Sequence, residues 1–242
     1  MFMLHNIVMS AMNTELNFKA FVVNLESRKD RLISSQNQFQ KLQIPFTRIS
    51  AVTPENLTAY VSFVKPAVAA CWESHLSVYK MIVSENIDIA LICEDDIIFG
   101  KFDLDSLIDA MYQEKIHVLQ IGFLYGTIGR KIDFLGRNFL HFILLLIKRV
   151  GFLFPLSEKL KNSPQINELS LQHPWLVPGD FRFGTHCYLI SQDAAARILS
   201  IGGIQFLAAD DFLVALAKMR FFDIRRLFVS KCGQSNSPSS IL

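Results

Sequence analysis

Ile89-Ala90-Leu91-Ile92-Cys93 runs straight into Glu94-Asp95-Asp96. An uninterrupted apolar run of this kind suits a strand of a parallel sheet, buried on both faces. The chain is therefore expected to fold as an α/β protein around it. Three adjacent carboxylates repel one another, and the carboxyl edge of an open α/β sheet is where ligands bind. A divalent cation held by oxygen ligands is the simplest compensation, and it would in turn carry a phosphate. A solvated turn of acids accounts for the same residues equally well.

The flanking segments fit such a sheet. Residues 19–25 read as a strand, 27–42 as a helix with Leu32, Phe39 and Leu42 on one face, and 46–52 as a second strand after Pro45. This β-α-β order implies a right-handed crossover and parallel pairing. Residues 67–85 form a helix whose inward stripe is Trp72, Leu76, Tyr79, Ile82 and Val83. Further helices are expected at 104–112, at 192–199 with Ser191 as N-cap, and at 210–219. Strands are expected at 116–122, 183–190 and 221–229, and an extended tail from Gly233.

The 242 residues suffice for one α/β domain, and a net charge of +2 gives no global nucleic-acid signature. The charge is uneven. Between Arg130 and Lys161 seven bases face two acids, a local +5. Within this segment residues 139–147 are apolar except for His141, and Lys148-Arg149 follow. Arg137, His141 and Lys148 share one side of a helix there. The pattern suits a helix lying at a membrane surface with basic anchors, or a helix covering the sheet. No run reaches the ~18 apolar residues of a membrane span, and residues 1–18 lack the pattern of a secretory signal. Cys71, Cys93, Cys187 and Cys232 form no C-x-x-C pair and read as free thiols of a reducing compartment.

Several residues have two readings. Arg28 and Arg31 follow the first strand and would reach the same edge as the acids, where a guanidinium pairs well with phosphate. Asn24 could bond a base or ribose. As plain helix-surface charges the arginines need no ligand. His75 lies on the apolar stripe of its helix and suits a core role or a site lining. His186, after Gly184-Thr185, could be a metal ligand, a phosphate contact or part of an ordinary turn. Asp210 and Asp211 open a helix as caps, or one of them serves as a general base.

In order along the chain, Val22-Val23-Asn24-Leu25-Glu26-Ser27-Arg28-Lys29-Asp30-Arg31, Cys71-Trp72-Glu73-Ser74-His75-Leu76, Ala90-Leu91-Ile92-Cys93-Glu94-Asp95-Asp96, Gly184-Thr185-His186-Cys187-Tyr188 and Asp210-Asp211-Phe212-Leu213 resemble glycosyltransferase family 25. These are lipopolysaccharide and lipooligosaccharide glycosyltransferases of Gram-negative bacteria. The resemblance implies a GT-A-like, Rossmann-type, mostly parallel sheet flanked by helices, with a helical apolar and basic insertion. It implies a single domain over 1–242, with a nucleotide-binding half near 19–125, an insertion near 126–180, a catalytic half near 181–232 and a tail over 233–242. The implied activity is inverting transfer of a hexose, galactose from UDP-galactose or glucose from UDP-glucose, onto a lipid-anchored oligosaccharide core. Mn²⁺ or Mg²⁺ would sit on Glu94, Asp96 and His186. Asn24, Arg28, Arg31, His75, Glu94 and Asp95 would serve the sugar nucleotide, and Asp210 would be the base, with Asp211 as the alternative. The enzyme would work at the cytoplasmic face of the inner membrane. Ala67-Val68-Ala69-Ala70 replaces a usual Gly-Glu approach, and Ala51-Val52-Thr53-Pro54 lacks a usual Asp-Gly, so a non-catalytic sugar-nucleotide binder stays open.

Overall fold

A computed structural model describes residues 16–58, 64–125, 127–150, 163–201 and 207–235. Strand β1 (Phe18–Asn24), helix α1 (Lys29–Leu42) and β2 (Thr47–Ser50) open the fold, followed by α2 (Pro66–Ser84) and β3 (Ile89–Glu94). β1 pairs in parallel with both β2 and β3, in a register that sets Val23 beside Glu94 and Asn24 beside Ser50. Three carboxyl ends therefore meet at one edge. Then come β4 (Ile97–Phe99), α3 (Leu104–Gln113), β5 (Val118–Gly122), α4 (Ile128–Val150), α5 (Pro164–Asn167) and β6 (Leu176–Pro178). The chain continues through β7 (Cys187–Ser191), α6 (Gln192–Ser200), α7 (Ala209–Lys218), β8 (Ile224–Leu227) and β9 (Cys232–Gln234). Ser191 caps α6 by accepting from the Ala194 N–H, as its position suggested.

The sheet is mixed, not mostly parallel. Its order is β2-β1-β3-β7-β5-β8-β6, with β9 joining β4 to β5. β7 lies between β3 and β5 and runs antiparallel to both. An apolar run reports burial on two faces, and it says nothing about strand direction. The reversal matters for the site. It brings the start of β7, with Thr185 and His186 just ahead of it, to the end of β3, where the Glu94 N–H donates to the His186 carbonyl at 3.1 Å.

Alternation along the strands divides the core in two. Phe21, Ile92 and Tyr188 face α2, α6 and α7, packed against Tyr79, Ile82, Ile198 and Leu213. Val22, Leu91 and Leu189 face Phe39 of α1 and Met111 of α3. All four cysteines are free thiols, and Cys93 and Cys187 lie 3.6 Å apart on adjacent strands.

The segment expected to be a helical insertion also supplies an edge strand, β6, paired with β8. The reason is Arg226 on β8, which is fully buried. It donates to Asp180 at 2.6 Å and to the Asn138 side-chain Oδ1 at 2.7 Å, and it lies 4.8 Å from the Phe134 ring. Those contacts dock α4 by its Phe134–Asn138–His141 face. Arg137, His141 and Lys148 do share a side, but His141 and Lys148 turn toward the protein, and Arg137 stays exposed at the rim of that face. Lys148 donates to the carbonyls of Asn167 and Leu169, Arg137 pairs with Asp133, and Arg130 lies over Phe183. Lys148 is thus not a free anchor, which corrects the expectation. Residues 151–162, with Phe152–Phe154, Lys159 and Lys161, lie outside the described residues, as does the tail beyond 235 and everything before 16. Among the described residues no helix is long and apolar enough to cross a membrane.

Candidate active site

The edge formed by β1, β2 and β3 opens into a cleft of about 190 Å³ lined by Arg31, Val52, Cys71, His75 and Gln234, with Glu94, Asp95 and Asp96 in its wall. The acids differ in environment. Asp95 is buried and held by protein: Asn24 Nδ2 donates to Oδ2 at 2.8 Å and Arg31 Nη1 to Oδ1 at 3.0 Å. Asn24 is itself engaged, donating also to the Arg28 carbonyl and accepting from Arg48 Nε at 2.9 Å. Its amide therefore orients Asp95, and a direct contact to base or ribose is not its arrangement here. Arg31 also reaches Asp96 Oδ2 at 3.4 Å. Arg28 is clamped by Asp30 at 3.0 and 2.8 Å, beside the cleft.

Glu94 and Asp96 instead face His186. Glu94 accepts from the Thr185 hydroxyl at 2.5 Å and lies 3.5 Å from His186 Nδ1. Glu94, Asp96 and His186 each bring a ligand atom within 4.8 Å of the others. Asp96 Oδ1 and His186 Nε2 are buried without a hydrogen-bond partner among the described residues. Carboxylate oxygens suit Mn²⁺ or Mg²⁺, and the added imidazole nitrogen favours the transition ion Mn²⁺; two orphaned donor atoms in one cluster fit a cation better than a solvated turn. Cys71, His75 and Glu94 form a second close group.

The charges of this cluster are displaced from ordinary values. Burial works against ionisation of Glu94, but the hydrogen bond and charge of His186, with His75 and Thr185, outweigh it and lower the carboxyl to about 2. Burial and the charge of Glu94 push Asp96 up to about 6, against the pull of His186 and Arg31. Burial opposes protonation of His186, yet Glu94, Asp96 and Asp210 together raise its pKa. Burial lowers that of His75, whose Nδ1 lies 2.8 Å from the Tyr188 hydroxyl, itself 2.8 Å from that of Tyr79. His75 Nε2 approaches Glu94 at 3.9 Å.

Gly184 explains how His186 fits. Its φ is +94°, and an added Cβ would lie 2.3 Å from His186 Nε2. The close approach that glycine permits is therefore by the imidazole two residues on. The Gly184 N–H donates to Asp210 Oδ2 at 3.0 Å, and Asp210 Oδ1 accepts from the Asp211 N–H. Asp210 thus ties the start of α7 to the turn that carries His186. Asp211 is half-buried, and burial together with Asp210 raises its pKa, while Arg130 and Lys218 act against the rise.

Three polar residues absent from the sequence-based set complete the site. Thr185 holds Glu94. Gln120, fully buried on β5, clamps 182–184 by accepting from the Arg182 N–H at 2.7 Å and donating to the carbonyls of Arg182 and Gly184. Gln234 donates to Asp96 Oδ2 at 3.2 Å and meets His186 Nδ1 at 3.0 Å. It belongs to β9, so the expected tail begins as a strand, because Gly233 and Gln234 pair with Ile98 and Ile97. A lone Gln inside the apolar run 116–122 was a visible signal for Gln120; Gln234 carried none.

Fold and site together define an α/β protein with a buried acid–histidine cluster at the carboxyl edge of a mixed sheet. The chain belongs to glycosyltransferase family 25 (LPS biosynthesis protein), which matches residues 17–213. No curated protein matches it. Among solved structures, the crystal structure of A197 from STIV is similar at 12% identity and a TM-score of 0.45, over 89% of this chain and 83% of that chain.

Proposed function

We propose that this glycosyltransferase is an inverting, metal-dependent hexosyltransferase that moves galactose from UDP-galactose to a lipooligosaccharide or lipopolysaccharide core. The observation that carries the metal dependence is the pair of orphaned donor atoms, Asp96 Oδ1 and His186 Nε2, beside Glu94. Bound there, Mn²⁺ or Mg²⁺ would neutralise the charge that develops on the departing diphosphate. Arg31 adds positive charge at the same edge while fixing Asp95 and Asp96. His75, buried and neutral, lines the cleft beside Glu94.

Asp210 and Asp211 divide the remaining work. Both Asp210 oxygens already accept backbone N–H groups, so it positions the Gly184 turn. Asp211 has the raised pKa and the partial exposure that a proton acceptor needs, and it takes the proton of the attacking acceptor hydroxyl. Direct displacement at the anomeric carbon then inverts its configuration.

A lipid-anchored acceptor calls for an enzyme close to a membrane. Ile128, Ile132, Leu135, Phe139, Phe142 and Leu146 recur every three or four residues along α4 and are 42–77% exposed. Lys131 and Arg149, five helical turns apart, flank that stripe on one side. This face supports a peripheral location at the inner membrane, at its cytoplasmic side.

UDP release tests the transferase reading, with UDP-galactose, UDP-glucose and UDP-N-acetylglucosamine as donors, Mn²⁺ present, and a truncated lipooligosaccharide core as acceptor. Acceptor-dependent release from UDP-galactose, with a β-linked product, is the expected result. Preference for UDP-glucose would correct the sugar. No acceptor-dependent release from any donor would leave a non-catalytic binder.

A further inference from the structure

A second cleft, of about 140 Å³, lies between α4, the 179–183 segment and α7. We propose that it is an acceptor subsite for a hexose bearing an anionic substituent, a phosphate or a carboxylate; this rests on the transferase reading above.

Four bases line the cleft, Arg130, Arg137, Arg182 and Lys218, against Asp133 and Asp180. Both acids are already taken. Asp133 pairs with Arg137 and Arg182, and Asp180 with Arg182 and the buried Arg226. A net positive surface remains, and two of its cations, Arg130 and Lys218, form no salt bridge among the described residues, with Asp211 as the acid their charges act on. Arg130 lies 3.3 Å from the centroid of the Phe183 ring, which fixes its guanidinium over an aromatic face. Lys218 ends α7 beside it in the lining.

Arg182 adds a sharper signal. Its Nη1 and Nε serve Asp133 and Asp180, but Nη2 is buried without a hydrogen-bond partner. A buried N–H of a charged group left unpaired is costly, and an oxyanion from outside is the acceptor it lacks. Tyr125 contributes aromatic surface to the same lining, suited to the C–H face of a sugar.

The cleft is joined to the reaction site through the chain. Arg182 and Phe183 immediately precede Gly184-Thr185-His186, and Gln120 clamps the junction. Asp211 feels the charges of both Arg130 and Lys218. A charged substituent held by these cations sets its sugar beside Asp211, so an anion selects the acceptor.

The test titrates the full chain with glucose 6-phosphate, glucuronate and glucose in EDTA, where the acid cluster without metal repels anions. The wild type should bind glucose 6-phosphate or glucuronate in the millimolar range and glucose undetectably. The better of the two charged sugars identifies the anionic group. Arg130→Gln/Lys218→Gln, two exposed positions, should weaken binding at least about tenfold. Equal binding by the double variant, or no binding of either charged sugar by the wild type, would overturn the proposal. UDP binding with Mn²⁺ is measured on both proteins in parallel. If it fails in the wild type while the charged sugar binds, the donor reading falls and the anion subsite stands.

Discussion

Gln234 Nε2 donates to Asp96 Oδ2 across 3.2 Å, so the last described strand holds the acid that follows β3. The same amide meets His186 Nδ1. Partners that orient a metal ligand commonly matter 10–100-fold for affinity. Gln234→Ala should therefore weaken Mn²⁺ binding by roughly that factor, read by isothermal titration, while its midpoint of thermal unfolding stays within a few degrees of wild type. Unchanged affinity would remove Gln234 from the site.

Gly184→Ala should be more damaging. The residue stands at φ +94°, and the new Cβ would collide with the His186 imidazole at 2.3 Å. Backbone strain and the collision together should cost about 1–3 kcal/mol in urea unfolding, and metal binding should be lost with the displaced imidazole.

Asp96→Asn should separate stability from function. The folded pKa of Asp96 is raised to about 6 from an ordinary value of 3.8. Between those values the folded state holds a proton that the unfolded state has released. This group's contribution therefore falls as pH rises from 3.8 toward about 6. The Asn variant lacks that loss. Without metal, near neutral pH, it should be as stable as wild type or more so, by on the order of 1 kcal/mol. Transfer and Mn²⁺-dependent stabilisation should both disappear. Wild-type Mn²⁺ affinity should itself drop below about pH 6, as the proton competes for Asp96.

Helix α4 gives a fourth expectation. Leu135→Glu/Phe139→Glu places charge in the exposed stripe and should abolish binding to vesicles of anionic lipid. Lys131→Glu/Arg149→Glu should make that binding weaker and less sensitive to salt. Vesicle co-sedimentation reads all three proteins, and equal binding by them would show that this face does not meet lipid.

Much of this architecture was legible in the chain. β1, α1, α2 and β3 follow from apolar periodicity, and their register sets the acids at a strand edge as the run 89–96 suggested. Glu94, Asp96 and His186, the set implied by the family resemblance, are brought together. Strand direction was not legible, because β7 is equally apolar read either way. β4, β6 and β9 are three residues each, too short for any period to show. The side shared by Arg137, His141 and Lys148 was correct, but which side faces the protein depends on Arg226, 88 residues from Asn138 along the chain. Neutral donors such as Gln234 and Thr185 leave no charge pattern, although they finish the site.

The central claim is that the acid–histidine cluster holds a cation that carries the sugar nucleotide. Isothermal titration of UDP-galactose into the wild type and Asp96→Asn, each with Mn²⁺ and with EDTA, tests it most directly. Binding by the wild type with Mn²⁺, absent in EDTA and in the variant, is the predicted result. Equal binding in EDTA, or by Asp96→Asn with Mn²⁺, would contradict it.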